Sequence, residues 1–343
     1  MKWMTKSLIP AAVLLMLGSL AARAEQLTVQ LRGPALAESA GFLIAKARGY
    51  YAEEGLAVRL RPADPAAPPF EALARGEADL AVEWMPTALV ARENGLPVVN
   101  IAQIFARPAL RLTCRREAGM AGAADLRGKT VGSWFGGTEY PLLAWLNRLG
   151  LVADDSLSGV ALPAQWPGTE MLRQKQAACI STLSYDPAPD EGLVELDPQD
   201  QGAAVLEDGL YVLAGTLAAP EAEERLAGFL RASMRGWREA VAQPEDSARL
   251  ILGPDPDPGA LQRQAGMLRR IGGLLAADGA LDEAGYRRTV ETLRTGGPRS
   301  VLRREPRGAF THAISDRATL PEDAAATATA DPTTTGPDVA PLR

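Results

Sequence analysis

The chain has 343 residues, with 36 Lys+Arg against 42 Asp+Glu and a net charge of −6. It is too long for one ordinary hydrophobic core and suits two lobes of roughly 100 to 200 residues each. The acidic balance offers no sequence-independent attraction to phosphate backbones, so nucleic acid is not an expected partner. A single histidine, His312, and two cysteines, Cys114 and Cys179, exclude clustered His/Cys metal centres and histidine-based triads within the chain, and no cofactor or metal is expected.

Lys2 and Lys6 precede an apolar run from Leu8 to Leu20 that ends in Ala22-Arg23-Ala24, a small-x-small cleavage site. Residues 1–24 therefore read as a signal peptide. The run is shorter than the roughly 20 residues a bilayer core requires and holds Pro10 and Gly18, which argues against a membrane anchor. The mature chain is expected in an oxidising compartment, the bacterial periplasm, and not embedded in a membrane. Cys114 and Cys179 both fall on apolar segments that read as buried strands; spacing leaves open whether they are paired or separate thiols.

Leu27 to Leu31 suits a strand and Ser39 to Arg48 a helix, with Gly49 at the left-handed cap position. Further strands are expected at Ala57 to Leu60, Asp79 to Trp84 and Val98 to Phe105, separated by helices at Phe70 to Ala74 and Pro86 to Glu93. Such alternation implies a parallel sheet. Arg107-Pro108 interrupts it, and a second set begins: strand Leu110 to Cys114, a helical turn at Ala124 to Leu126, strand Thr130 to Trp134 and helix Glu139 to Leu149. Thr169 is placed to cap a helix running to Gln176, followed by strand Cys179 to Leu183. The chain is expected to cross back around Gln201 to Leu213.

Leu226, Leu230, Met234, Trp237 and Val241 recur at spacings of three and four, so Glu221 to Ala242 reads as a long helix burying one stripe. Helices at Gly259 to Ala276 and Asp282 to Thr295 follow, expected to pack on the first lobe. The stretch Pro321 to Arg343 is Ala, Thr, Asp and Pro with hardly any bulky apolar residue, the composition of a disordered tail. The expected organisation is signal peptide 1–24, lobe 1 from 25–106 and again from 205–318 with a helical C-terminal region, lobe 2 from 107–204, and tail 319–343.

In open α/β sheets ligands bind beyond the carboxyl ends of strands, near helix N-termini. Two segments fit. In Glu83-Trp84-Met85-Pro86-Thr87 a strand runs into a helix, and Glu83 and Trp84 are expected to face the cleft. In Ser133-Trp134-Phe135-Gly136-Gly137-Thr138-Glu139-Tyr140-Pro141 paired glycines admit a ligand close to backbone, and Thr138 is placed to cap the next helix. An aromatic face beside a carboxylate suits a flat, nitrogen-rich ring. The bland reading of each tryptophan is core packing, and that of Glu139 is a helix-end carboxylate favoured by the dipole.

Gly41-Phe42-Leu43-Ile44-Ala45, Gly49-Tyr50-Tyr51-Ala52-Glu53-Glu54-Gly55-Leu56 and Gly76-Glu77-Ala78-Asp79 resemble substrate-binding proteins of bacterial ABC importers, in the branch related to thiamine pyrimidine synthase and near the sulfonate binders. Val82-Glu83-Trp84-Met85, Asp125-Leu126-Arg127-Gly128-Lys129, Trp134 through Pro141, and Gln174-Lys175-Gln176 before Cys179-Ile180-Ser181-Thr182 carry the likeness more specifically. The resemblance spans about Leu27 to Arg317. It implies a type II periplasmic binding protein fold of the α/β class, two lobes on a hinge closing over an interlobe cleft. It also implies a monomer that hands a small heteroaromatic ligand, of the thiamine pyrimidine precursor kind, to an ABC permease and ATPase.

The ligand-binding residues expected on this basis are Glu83, Trp84, Thr87, Trp134, Gly136, Gly137, Thr138, Glu139, Tyr140 and Tyr185. The chain departs from the pattern at Gly33, where members often carry a tryptophan, and at Asp186-Pro187 after Tyr185, where relatives commonly have Asn-Glu. The related enzymes consume a lysine-bound pyridoxal phosphate and a histidine of their own chain to make the pyrimidine; Glu83 and Thr87 stand at the places of that lysine and histidine here, so no catalytic residue is expected. The alternatives are an enzyme making hydroxymethylpyrimidine phosphate, a binder of aliphatic sulfonates, nitrate or taurine, and a sensor subunit outside transport. Glu83→Gln and Trp84→Ala are both expected to weaken binding and leave the fold intact.

Overall fold

A computed structural model describes residues 25–64, 67–154, 158–165, 168–187 and 189–319. The expected signal peptide, and all of the expected tail except Thr319, lie outside them. The first strand, β1 (Glu25–Gln30), leads into α1 (Ala40–Ala47), which ends at Gly49 with φ 79° in the left-handed region, as the cap position requires. A short helix α2 (Tyr50–Glu53), β2 (Leu56–Arg61), α3 (Pro69–Ala74), β3 (Leu80–Trp84), α4 (Met85–Glu93) and β4 (Val98–Gln103) complete the first run. Then come β5 (Leu110–Arg115), β6 (Val131–Gly132), α5 (Tyr140–Arg148), α6 (Glu170–Arg173), β7 (Cys179–Leu183), β8 (Leu193–Leu196) and β9 (Asp208–Leu213). The C-terminal helices are α7 (Ala222–Ala242), α8 (Pro244–Leu252), α9 (Pro258–Ile271), α10 (Glu283–Arg294) and α11 (Ala313–Ala318).

These strands form two sheets, a five-stranded one in the order β2-β1-β3-β9-β4 and a four-stranded one in the order β6-β7-β5-β8. The α/β architecture is as the alternation implied, but neither sheet is purely parallel. β9 inserts antiparallel between β3 and β4, and β5 pairs antiparallel with both β7 and β8. The reason is the route of the chain: β9 arrives from the second sheet and enters the first from the far end. Two passages join the sheets, between Gln103 and Leu110 and between Leu196 and Asp208.

The stripe expected on α7 is buried at Leu226, Leu230, Met234 and Trp237, with Val241 partly covered at its edge. Trp237 fits against α1 because residue 41 has no side chain: a Cβ on Gly41 would stand 2.1 Å from the indole. One residue earlier on α7, a Cβ on Gly236 would stand 2.1 Å from the Gly41 carbonyl oxygen, so the two helices cross at a distance only paired glycines permit. Phe42, Tyr51, Phe105 and Phe229 extend this core through ring contacts. Helix α10, expected on the first lobe, meets both sides: Tyr286, Val290 and Leu293 share one cluster with Met85 and Leu89 of α4 and with Ala144 of α5. Two expected caps are also absent. Thr138 donates instead to the Phe135 carbonyl, and Thr169 makes no capping bond to α6.

Cys114 and Cys179 lie directly opposite each other on β5 and β7 and are joined in a disulfide, resolving what spacing left open. The bridge closes a loop of 65 residues that contains β6, α5 and α6. Cross-linking a loop of that size constrains the unfolded chain, and reduction is expected to lower stability by about 2–5 kcal/mol. Thermal unfolding of the full chain with and without reductant checks this; an unchanged midpoint on complete reduction would contradict it.

Candidate ligand-binding site

The site is built where the two passages meet the first sheet, and two adjacent acidic residues lace it together. Glu207 is fully buried, and its two carboxylate oxygens accept the backbone N–H groups of Ala109 and Leu110, each at 2.8 Å. A residue of the second passage thereby holds the end of the first. The Asp208 carbonyl accepts the N–H groups of Ile104 and Phe105, and Gln103 Nε2 donates to the carbonyls of both Glu207 and Asp208. The Asp208 side chain turns the other way: Oδ1 accepts from Arg32 Nε at 3.1 Å and Oδ2 from Trp84 Nε1 at 3.1 Å. The Arg32 guanidinium also lies over the Trp84 ring, 4.6 Å from its centroid. The ends of β1, β3 and β9 are thus tied at one buried ion pair.

Above this floor opens a cleft of about 820 Å³. Arg32, Gly33, Pro34, Glu38 and Ala63 line it from the first sheet; Thr113, Trp134, Phe135, Thr138, Gln165 and the Ser181-Thr182-Leu183 edge line it from the second. Asp186, Asp190 and Glu195 stand at the same wall. Trp134 is half-buried and packs against the first core, whereas Phe135 is 50% exposed. Gln165 copies a strand partner, exchanging both hydrogen bonds with the Ser181 backbone at 2.9 Å and so fixing the hydroxyl-bearing edge of β7.

Of the residues expected at the site, Trp134 and Thr138 line the cleft. The expectation that Glu83 and Trp84 face it is corrected. Neighbours on a strand point to opposite faces, so both cannot look into one cavity, and every residue of β3 is buried. Trp84 is 0% exposed and committed to Asp208 and Arg32, and Glu83 Oε1 accepts the Trp84 N–H at 2.8 Å. Thr87 and Gly137 meet each other: Thr87 Oγ1 donates to the Gly137 carbonyl at 3.0 Å, joining α4 to the β6–α5 loop. Gly137 has φ 109°, and a Cβ there would lie 2.5 Å from the threonine methyl, so glycine is needed twice over. Gly136 and Tyr140 belong to the same loop and helix start, outside the cleft lining, and Glu139 Oε2 accepts the Gly137 N–H at 2.8 Å. Tyr185 is buried against Phe105, its hydroxyl without a hydrogen-bond partner among the described residues.

Arg32, Glu38, Gln165 and Asp208 were not expected; Phe135 lies in the expected glycine-bearing segment but was not singled out. Arg32 follows the carboxyl end of β1, the position where ligands gather in α/β sheets, and that rule alone would have pointed to it. Asp208 gives no such signal, because its partner lies 176 residues away.

Burial raises the Glu83 carboxyl from an ordinary 4.5 to about 7, opposed by Arg32 and by the Trp84 N–H and assisted by Asp208. Burial likewise raises Glu207 to about 7, against the two N–H groups it accepts. The folded chain therefore keeps protons that the unfolded chain releases at lower pH. Their stabilising contribution is complete below about pH 4.5 and lost as pH rises through about 7.

Residues 37–184 match the family described as NMT1/THI5 like. The chain is 28% identical over 217 residues to a formylaminopyrimidine-binding protein of Halalkalibacterium halodurans, covering 61% of this chain and 64% of that protein. It is 27% identical over 235 residues to the riboflavin-binding protein RibY of Chloroflexus aurantiacus, covering 62% of each. The chain thus spans a little under two thirds of the length of these curated relatives. Among solved structures, the alkanesulfonate-binding protein SsuA from Xanthomonas axonopodis pv. citri, bound to MOPS, superposes with a TM-score of 0.60 at 15% identity, covering 87% of this chain and 99% of that one.

Two variants test the buried floor. Trp84→Ala removes a fully enclosed indole and leaves Asp208 short of a donor, so a loss of about 3–5 kcal/mol of stability is expected rather than an intact fold. Glu83→Gln is expected to flatten the fall in thermal midpoint between about pH 5 and pH 8 that the unaltered chain shows. Melting curves across that range check both, and an intact Trp84→Ala midpoint or an unaltered slope in Glu83→Gln would contradict them. Residues 37–184 are thus similar to the NMT1/THI5-like family, and the chain has the periplasmic binding protein fold.

Proposed function

We propose that the chain is the substrate-binding component of an ABC importer, acting in the periplasm as a monomer and delivering a small heteroaromatic compound to a permease and its ATPase. The observation that carries this reading is the cleft of about 820 Å³ between the two sheets, walled by Trp134 and Phe135 on one side and floored by Arg32 on the other. Such a space accepts a flat ring against an aromatic face while hydroxyls and carboxylates meet its nitrogen substituents. The two passages laced at Glu207 and Asp208 supply the short hinge on which the lobes 25–106 with 205–318, and 107–204, would close.

The ligands for which the two curated relatives are named, a formylaminopyrimidine and riboflavin, are both flat nitrogen-rich rings, which supports that class. The pyrimidine-forming alternative needs an amine to bind pyridoxal phosphate. The described residues lining the cleft include no lysine and no histidine, Glu83 is sealed beneath the floor, and Thr87 is held by Gly137. A binder that releases its guest unchanged needs none of these groups.

Calorimetry and thermal shift of the mature chain against pyrimidines, flavins and sulfonates test the proposal. A ring compound at about 100 times its Kd should stabilise the fold by about 2.7 kcal/mol. Trp134→Ala should weaken that binding by about tenfold or more, measured at a temperature where the unliganded variant is fully folded, since loss of a stacking face costs about 1–3 kcal/mol. No response to any ring compound, unaltered binding in Trp134→Ala, or a Schiff-base absorbance with pyridoxal phosphate would contradict it.

A further inference from the structure

Glu38 occupies a place that the rest of the site leaves unexplained. Its carboxylate reaches back over the turn after β1, and a Cβ placed on Gly33 would lie 1.6 Å from Glu38 Oε1. Glycine at 33 is therefore a condition for this carboxylate to stand where it does. No hydrogen bond reaches the Glu38 carboxylate among the described residues, although it is half-buried on the cleft wall. Arg32, the one cation among the described lining residues, gives its Nε to Asp208 and not to Glu38. A half-buried carboxylate facing an open cavity with no protein donor is free to accept from a ligand that displaces the water solvating it.

The rest of the wall carries the same sign. Asp186, Asp190 and Glu195 line the opposite side, so four carboxylates surround the space against a single guanidinium that Asp208 already offsets. Beneath them the Tyr185 hydroxyl, fully buried and without a hydrogen-bond partner among the described residues, lies within electrostatic reach of Glu38. An anion entering here meets repulsion on both walls, and a neutral ring leaves Glu38 with only the Arg32 charge that it shares with Asp208.

We propose that Glu38, standing in the space Gly33 leaves open, sets the charge of the guest: the compound taken up is a flat nitrogen heterocycle bearing a protonated amine, whose ammonium or amidinium group donates to the Glu38 carboxylate. This deepens the reading above and rests on it, and it differs from the ligands for which the two curated relatives are named in requiring a cation. Burial pushes the Glu38 carboxyl up, with Arg32 drawing it down and Asp208 and Asp186 pushing it further up. A cation seated beside it favours the ionised form.

The test is titration calorimetry on the mature chain with three probes: an aminomethyl-substituted pyrimidine, cationic at neutral pH; its N-formyl derivative, neutral; and methanesulfonate. The amine should bind about tenfold or more tightly than the formamide, the size of one charge-assisted hydrogen bond, with methanesulfonate giving no heat. Glu38→Gln and Gly33→Ala, each checked for an unaltered melt, should reduce the preference to within about threefold, the second by displacing the carboxylate. Equal or tighter binding of the formamide by the unaltered chain, or a preference that survives in Glu38→Gln, would overturn the role of Glu38 and leave the importer reading standing. Tight methanesulfonate binding would overturn the charge selection, and silence with both pyrimidines together with other rings would instead overturn the reading on which it rests.

Discussion

Glu207 and Asp208 set the geometry on which the rest of the molecule depends. They are consecutive and both buried, and their carboxylates point into different parts of the structure: Glu207 holds the end of one passage between the sheets, Asp208 holds Arg32 and Trp84 beneath the cleft. Two acidic groups in so dry a place would be expelled if either lacked donors, because an unpaired buried charge costs several kcal/mol. Each instead has its donors supplied by a segment far away in sequence. The penalty of burial thereby becomes a demand for one arrangement of the passages, the β1 end and the β3 end, whether or not the ion pair adds net stability.

That arrangement places the site. Because the floor is tied at Asp208, Arg32 faces the cavity from the carboxyl end of β1 while its Nε is committed below. Because the passages are tied at Glu207, the connection between the sheets is held at one point, and the proposed closure would turn about it. Contacts outside the hinge then decide how far apart the lobes stand. The Thr87 to Gly137 hydrogen bond on one flank, and the bond from Arg270 Nε to the Tyr185 carbonyl at 3.0 Å on the other, bracket the aromatic wall at Trp134. Gln165 is tied to the β7 edge by both of its hydrogen bonds to Ser181.

Much of this was legible in the residues. The alternation of strand and helix patterns located nearly every element of both sheets, and the spacing of Leu226, Leu230, Met234 and Trp237 located the longest helix and its buried face. The direction of β9 was not legible, since periodicity shows that a strand exists and which faces it has, but not which neighbour it joins. β8 at Leu193–Leu196 escaped because it is short and only partly covered, and α11 because it is a single turn and a half. Within the site, the run from Trp134 to Thr138 was readable from its paired glycines. Glu83 and Trp84 were misplaced by ignoring the two-residue alternation of their own strand. Arg32, Glu38 and Asp208 derive their roles from contacts across the fold, and the space over Gly33 becomes visible only when the carboxylate occupying it is seen.

The account turns on a guest held between the two sheets and released unaltered. A crystal structure of the chain with the compound that copurifies with it addresses this most directly. The ring should lie against Trp134 with Arg32 below it, and mass spectrometry of the recovered compound should match the material that entered. A compound seated away from that wall, or recovered with its bonds changed, would contradict the account.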